Sequence, residues 1–372
     1  MSVIGNTVMR FDEEQSMLLD YARSFCADRG GLHAAREHLE SPLEYSPEVW
    51  QEMVAMGWTG IGLPEELGGA GLGIGAAVPV AESMGKALLG TPLISTLLAA
   101  QLLLRADAGS ATEVLRGIAT GDAACVAELE SEDWNGASAC AVDDAGILQG
   151  RKQMVMDAQS ARWIAVLVSS RSESAIAVVD AKDLDAQAVS PRTLIDNTHR
   201  AADVSFTGVR PVLVISGASV SSALRDYRLL GAMLVAAEST GATAACLDVT
   251  VDYLKTRKQF GKLIGSYQAL KHPSVEILTM MDSARSFVYH AASVITEDPL
   301  GKDQEVACRM AKAQATEALK FAGDRAVQFH GGMGFTWDCD AQLFIRRAQW
   351  AQQQFGDAQH HRQRLAALLL DN

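Results

Sequence analysis

The residues best suited to gripping a flat, charged ligand fall in two clusters of the C-terminal third. Arg257-Lys258-Gln259-Phe260-Gly261-Lys262 closes a long helical pattern, and Gln268 follows eleven residues after Arg257. Arginine offers a forked donor to phosphate oxygens, phenylalanine a flat face for an adenine ring, and glycine lets a ligand approach backbone. Such a set suits an ADP-like moiety. The same residues also fit a basic helix C-terminus that complements the macrodipole and runs into a turn. The second cluster is Gln328-Phe329-His330-Gly331-Gly332-Met333-Gly334-Phe335-Thr336. Its three glycines interrupt a strong helical pattern, so a sharp turn with exposed amides is expected, and a simple helix-ending loop fits as well.

Other chemistries find no support. The six cysteines (Cys26, Cys125, Cys140, Cys246, Cys308, Cys339) are scattered without a C-x-x-C pair, which reads as buried small hydrophobes rather than a disulfide framework or zinc site. Gly71-x-Gly73-x-x-Ala76 fits a relaxed dinucleotide fingerprint, but the residues before it, Pro64-Glu65-Glu66, do not form a strand pattern. His360-His361 and His33/His38 lack partner ligands at zinc spacing and read as solvent-exposed. Neither a G-x-S-x-G elbow nor a P-loop occurs.

The elements that must position the two clusters are mostly helices. Alanine is abundant and aromatics total 6% of 372 residues, which favours helix over an all-β architecture. From Phe11 to about Thr120 the pattern is helical, with Asp12 or Ser16 as a cap for the first segment and Ser46 capping Pro47–Met56. Gly57–Gly75 reads as a glycine-rich loop, and helical texture returns over Ala76–Met84 and Leu93–Ala106. Short β-prone stretches follow Gly121: Ala123–Glu128, Ala139–Val142, Gly146–Gln149, Trp163–Ser169, Ser174–Val179 and Ala201–Phe206. Strands at this spacing predict a small sandwich or barrel. Arg225 to Thr256 then predicts one helix of about 50 Å, followed by Lys271–Ile295, Gln304–Phe329 and Asp338–Phe355, enough for an antiparallel bundle. The expected division is 1–120, 121–218 and 219–372. With 32 basic against 45 acidic side chains the net charge is −13, which argues against non-specific nucleic-acid binding. No signal pattern and no run of about 18 apolar residues is evident, so a cytoplasmic protein without membrane insertion is expected.

Together the clusters reach a family. The chain resembles the acyl-CoA dehydrogenases, flavoenzymes that introduce an α,β double bond into acyl-CoA thioesters. GWTGIGLPEELGGAGLG (57–73) looks like the family's N-terminal loop. Asp196-Asn197-Thr198-His199-Arg200, with Ala202 to Phe206, looks like the end of its middle domain. The R-x-x-F-G and Q-x-x-G-G-x-G-F-T boxes are similar to its C-terminal FAD motifs. The resemblance implies an N-terminal helical domain, a middle β domain and a C-terminal four-helix bundle, with FAD as cofactor. It assigns Arg257, Gln259, Phe260, Gly261, Gln268, Gln328, Phe329, His330, Gly331 and Gly332 to the adenosine and pyrophosphate half of FAD, across a subunit interface. It further implies an acyl-CoA substrate and an electron-transfer flavoprotein as electron acceptor.

The departures matter as much. Aligned on Gly356 and Arg362, the family's catalytic Glu falls on Phe355; the alternative base position, near Leu230-Gly231-Ala232, holds no carboxylate. The flavin-contacting T-E-P segment is replaced around Glu128-Leu129-Glu130, and the W-I-T-N segment behind the isoalloxazine by Gln153-Met154-Val155-Met156-Asp157-Ala158. The chain thus resembles the second, base-lacking subunit of bacterial heterotetrameric acyl-CoA dehydrogenases of steroid catabolism, which implies a second dehydrogenase subunit as partner. The alternatives are a self-associating homomer with a relocated base, Glu238 or Asp357, and a scaffold subunit that binds no flavin. Glu238 is equally suited to an ion pair, and Asp357 to a helix cap or a bridge to Arg362. The alanine-rich stripes Ala232–Ala245 and Ala311–Ala326 exceed what one bundle interior needs, so their outer faces are expected against another subunit.

Overall fold

The computed structural model describes residues 13–41, 45–131, 138–170, 173–296 and 298–370, so Asp12, one expected helix cap, lies outside the described residues. Six helices come first: α1 (Glu13–Arg29), α2 (Gly31–Glu40), α3 (Pro47–Ala55), α4 (Ala77–Ala87), α5 (Leu93–Asp107) and α6 (Thr112–Ala119). α3 starts as its sequence asks. The Val49 amide donates to the Ser46 hydroxyl at 3.4 Å, and Pro47 takes the first helical position, where its missing N–H costs nothing. The stretch from Gly57 to Gly75 folds as three short 3₁₀ turns, and no strand leads into Gly71.

Two packed sheets follow. β1 (Ala124–Ala127), β2 (Ala141–Val142), β3 (Leu148–Gln149), β5 (Trp163–Ser170), β6 (Glu173–Asp180) and β9 (Leu213–Ser216) make one; β4 (Arg151–Met156), β8 (Ala201–Ser205) and β7 (Val189–Arg192) make the other. β5 is the spine of the larger sheet, parallel to β1 and antiparallel to β6. Ile164, Val166 and Val168, alternating along β5, meet Val155, Ala202 and Val204 of the smaller sheet in one apolar core. Three strands carry little sequence signal. β4 opens on Arg-Lys-Gln and is held by antiparallel pairing with β8, β7 is an edge strand containing Pro191, and β9 is short and half exposed.

The C-terminal part is helical: α7 (Ala218–Thr256), α8 (Gln268–Val294), α9 (Lys302–His330), α10 (Ala341–Gln353) and α11 (Ala358–Leu370). α7 begins seven residues before the expected start and is long and apolar enough to cross a bilayer, contrary to the sequence reading. It is instead a core helix, with 94% of its most apolar window buried inside the protein. Its buried hydroxyls are satisfied locally: Ser239, Thr240, Thr243 and Thr250 each donate to the carbonyl one turn back, at 2.7 to 2.9 Å.

The small residues of α7 and α9 are explained within the chain, which corrects the expectation that another subunit covers them. Ala232, Ala236, Ala237 and Ala242 are fully buried, as are Ala311, Ala315, Ala318 and Ala322. α4 crosses α7 so closely that a Cβ at Gly241 would stand 1.8 Å from the Glu82 carbonyl oxygen, and one at Gly85 would stand 2.0 Å from that of Glu238. A bundle helix with a further helix laid across it needs small residues on more than one side. Gly85→Ala and Gly241→Ala should each cost about 2–3 kcal/mol in urea unfolding, because backbone rather than a flexible side chain must move. Gly332→Ala, which meets nothing within 4 Å, should change stability by less than about 0.5 kcal/mol.

Candidate functional site

The two sequence clusters meet at one end of the helical bundle. Residues 258–263 form a two-residue hairpin, in which Lys258 pairs with Leu263 and Gln259 with Lys262. Phe260 (φ 53) and Gly261 (φ 74) at its tip are the pair of left-handed residues that a type I′ turn demands. The Phe260 ring is thereby thrust outward, 92% exposed. Beneath the hairpin, Phe329 joins Leu254 and Ile264 in a small apolar core. His330 stacks on Tyr253 with ring centroids 4.1 Å apart, and its Nδ1 lies 2.7 Å from the Ala326 carbonyl oxygen. Arg257, Gln259, Gln268, Gln328, Gly331 and Gly332 all lie exposed around this tip, whereas Phe329 and His330 are buried under it. No atom stands within 4 Å of a Cβ built at Gly261, Gly331 or Gly332, so open space adjoins these backbones, and no carboxylate among the described residues pairs with Arg257. An exposed guanidinium, an exposed ring and open glycine backbone fit the adenosine and pyrophosphate half of FAD.

The second candidate place is a chamber enclosed by α4, α5, β1, β4, α7 and the end of α10, lined mainly by apolar side chains such as Met84, Leu98, Met154, Met156, Tyr227 and Phe355. It encloses about 70 Å³, against the roughly 300 Å³ at which ligand pockets begin. Three of its lining residues, Met154, Asp157 and Phe355, have φ between 52 and 56, a conformation costly for side-chain-bearing residues and concentrated at functional sites. The residues that the resemblance sets against the isoalloxazine, 153 to 158, supply part of this lining. A chamber of this volume does not fit the isoalloxazine.

One wall of the chamber is ionic. Arg347 of α10, with no solvent exposure, donates to Glu238 of α7 at 2.7 Å, to the Thr198 hydroxyl at 2.6 Å, and to Asp196. His199 lies 3.3 Å from the same Glu238 oxygen and stacks on Trp350 at 3.8 Å. Burial alone would raise both carboxyls, but Arg347 and His199 beside them reverse this and hold Asp196 and Glu238 below the ordinary range. Glu238 is thus ionised, with Oε1 held by Arg347 and Oε2 left without a partner among the described residues, and its lowered pKa makes it a weak base rather than one tuned toward neutral pH. Asp357 is elsewhere. It caps α11 by accepting from the His360 amide at 2.8 Å, while Arg362 pairs with Glu317 rather than with Asp357.

The T-E-P replacement is likewise tied up. Glu128 pairs with Arg228. Glu130 accepts from fully buried Lys152 at 2.5 Å and from Ser138 and the Ala139 and Cys140 amides. Burial opposes its ionisation, but these donors bring its pKa down to about 2. The histidines also need correction. His33 is exposed, but His38 is half buried, its pKa lowered to about 4 by burial and Arg200. His361 is buried, because its ring holds the chain just before α11. Sequence reasoning missed Arg347. Its signal was an arginine on the apolar stripe Leu343, Phe344, Ala348 and Ala351 of an amphipathic helix.

Known proteins resemble this chain over almost its whole length. Residues 12–122 match the acyl-CoA dehydrogenase N-terminal domain and residues 228–370 the C-terminal domain. The acyl-CoA dehydrogenase IpdE2 of Mycolicibacterium smegmatis is 31% identical over 95% of this chain and 98% of its own length. A variant of the Tcur3481-Tcur3483 steroid ACAD is 25% identical with a TM-score of 0.82, covering 96% of this chain and 98% of that one. The ChsE4-ChsE5 complex from Mycobacterium tuberculosis has the same fold, with a TM-score of 0.83 at 22% identity, covering 98% of this chain and 99% of that one.

The ion network makes a checkable claim. Glu238→Gln should cost about 3 kcal/mol or more, since it leaves Arg347 short of a counter-charge without water to replace it. Asp196 and Glu238 bind protons less readily folded than unfolded, so their contribution is complete above about pH 4.5 and is lost as pH falls further. Urea midpoints measured between pH 3 and 7 should therefore fall more steeply on acidification for the wild type than for Glu238→Gln.

Proposed function

The chain belongs to the acyl-CoA dehydrogenase family, and on that premise we propose that it is the base-less subunit of a heteromeric enzyme, lending the adenosine half of an FAD site to a partner. FAD is the cofactor, and when bound it supplies the acceptor for the β-hydrogen of the acyl group. The observation that carries the reading is the separation of two features along one helix. The open arginine–glycine tip begins at Arg257, while Glu238 lines the narrow chamber; nineteen residues of α7 separate them, roughly 28 Å. A tip so far from its own chamber, and turned outward, serves a neighbouring subunit. There Arg257 would fork onto pyrophosphate oxygens, the Phe260 ring would cover the adenine, and the Gly331 and Gly332 backbone would approach the phosphates closely.

The carboxylates that line the chain's own chamber are each engaged, Glu128 by Arg228, Asp157 by the Ser95 hydroxyl and Glu238 by Arg347. Phe355 takes the position of the family's Glu, Gly231 lies at the alternative position, Glu238 is held by Arg347, and Asp357 caps a helix. These assignments weigh against a homomer with a relocated base. The partner would bring the Thr-Glu-Pro segment and the catalytic carboxylate, with electrons passing to an electron-transfer flavoprotein. The steroid ACAD likeness favours a steroid-derived or branched acyl-CoA as substrate, in the cytoplasm. The reading divides the chain at 120 and 218, in the short links before β1 and at the start of α7.

Expressed alone, the chain should be nearly free of flavin. Co-expressed with a dehydrogenase subunit carrying the missing segments, it should give a yellow tetramer with one FAD for each pair of unlike chains. Arg257→Ala should weaken FAD binding about ten- to a hundredfold, the worth of a charge-assisted contact, read as lost absorbance near 450 nm in the folded complex. Unchanged flavin content would favour the scaffold alternative. A lone tetramer with one FAD per chain and turnover of acyl-CoA would overturn the heteromer.

A further inference from the structure

Next to the apolar chamber lies a second, larger cavity of about 660 Å³, bordered by the N-terminal turns of α7 and α9 and by the start of α11. Its character is opposite. Arg225, Arg228, Arg309 and Arg364 face it, Arg225 pairing with Asp226, Arg228 with Glu128 and Arg309 with Glu305, and Asp357 is the other acidic residue at its edge. Among the described residues, Phe355 is the one that lines both spaces.

The ring is seated between Gly231 and Tyr227. A Cβ built at Gly231 would stand 2.5 to 2.7 Å from three ring atoms, so only glycine leaves room for it on α7. Tyr227, one turn earlier, meets it edge-on with centroids 5.6 Å apart and planes at 76°. The backbone is pinned too. His361 Nε2 lies 3.0 Å from the Phe355 carbonyl oxygen, and the fully buried Lys312 amine donates to the carbonyls of Gly356 at 2.7 Å and Ala351 at 2.9 Å. Burial, with Lys312 and Arg309 adding to it, brings the His361 pKa down to about 3, so its ring is neutral; donating from Nε2 leaves Nδ1 free to accept from Arg309 at 3.4 Å. Phe355 and Gly356 hold φ of 56 and 94. A phenylalanine kept in the left-handed region by three flanking hydrogen bonds, with its ring over a glycine, is over-determined.

We infer that Phe355, seated on Gly231, is a partition: it stops an acyl chain that enters from the arginine-lined cavity from reaching the apolar chamber. Arginines suit the phosphates of a CoA thioester and the chamber suits a short acyl group, so the ring divides two halves of what would otherwise be one amphiphile site. This rests on the heteromer reading and adds to it that the chain is closed to substrate by a side chain, not merely short of a base.

The test counts butyryl-CoA bound per pair of unlike chains in the holo-complex, by equilibrium dialysis. Wild type should bind one equivalent, at the partner's site. Phe355→Gly, which also suits the left-handed backbone, should bind a second. The milder Phe355→Leu should show the same gain more weakly, and Gly231→Ala added to Phe355→Gly should reduce it by refilling the gap. Flavin content, read at the tip about 39 Å along α7 from Gly231, reports whether each variant is folded. One equivalent in both folded Phe355 variants overturns the partition and leaves the heteromer standing. Two equivalents already in the wild type overturn the partition through an open chamber. One acyl-CoA per chain in a catalytically active lone homomer overturns both.

Discussion

A guanidinium with no access to water must be neutralised where it stands, and three distant segments of this chain converge to do that for Arg347. Asp196 and Thr198 come from the link before β8, Glu238 from the middle of α7, and Arg347 itself from α10. Removing any one carboxylate leaves charge stranded in a low-dielectric interior, so the three segments hold or fail together. The same constraint decides the chemistry of the chamber. A carboxylate spent on a buried arginine stays ionised and fixed, and it is then a wall rather than a reagent. Trp350 and His199, stacked beside it, extend that wall.

The network can form only because α7 is approached so closely. Glycine at 85 and 241 lets α4 cross at backbone contact, which sets the height of Glu238 in the core and brings Met84 to the chamber. The alanines that resemble an excess of interface residues are therefore spent inside the subunit. What remains for a partner is the opposite end of α7, where Phe260, Phe335, Met333 and Trp337 stand 48% to 92% exposed around the glycine loops. An apolar and cationic end with this much exposed surface is what the proposed shared cofactor site would require.

In the proposed reading, closure and loss of the base are two aspects of one arrangement. There Phe355 stands at the family's Glu position and Gly231 lies in the stretch near the alternative one, and the Phe355 ring fills the space that a side chain at Gly231 would need. The pair is coherent as packing: a large side chain is accommodated by a missing one, with Tyr227 edge-on and Lys312 and His361 holding the backbone that bears the ring.

Features governed by neighbours in the chain were legible from residue types alone. Ser46-Pro47 starts a helix, Phe260-Gly261 makes a turn, and the glycines after His330 end a helix, because each depends on local backbone preference. Helical texture, strand spacing and the two FAD boxes belong to the same class, and they carried the architecture and the cofactor. The identity of the partners in space was not legible. Arg347 meets carboxylates 109 and 151 residues away, and no local pattern distinguishes Glu238 as an ion-pair member from Glu238 as a base. Whether alanine faces a partner or a sister helix depends on which helix crosses it, and so does the fate of Phe355, which needed Gly231 opposite. Local conformational energy determines what each segment is, whereas the choice between a working pocket and a filled one is made by contacts between segments, which the order of residues does not display.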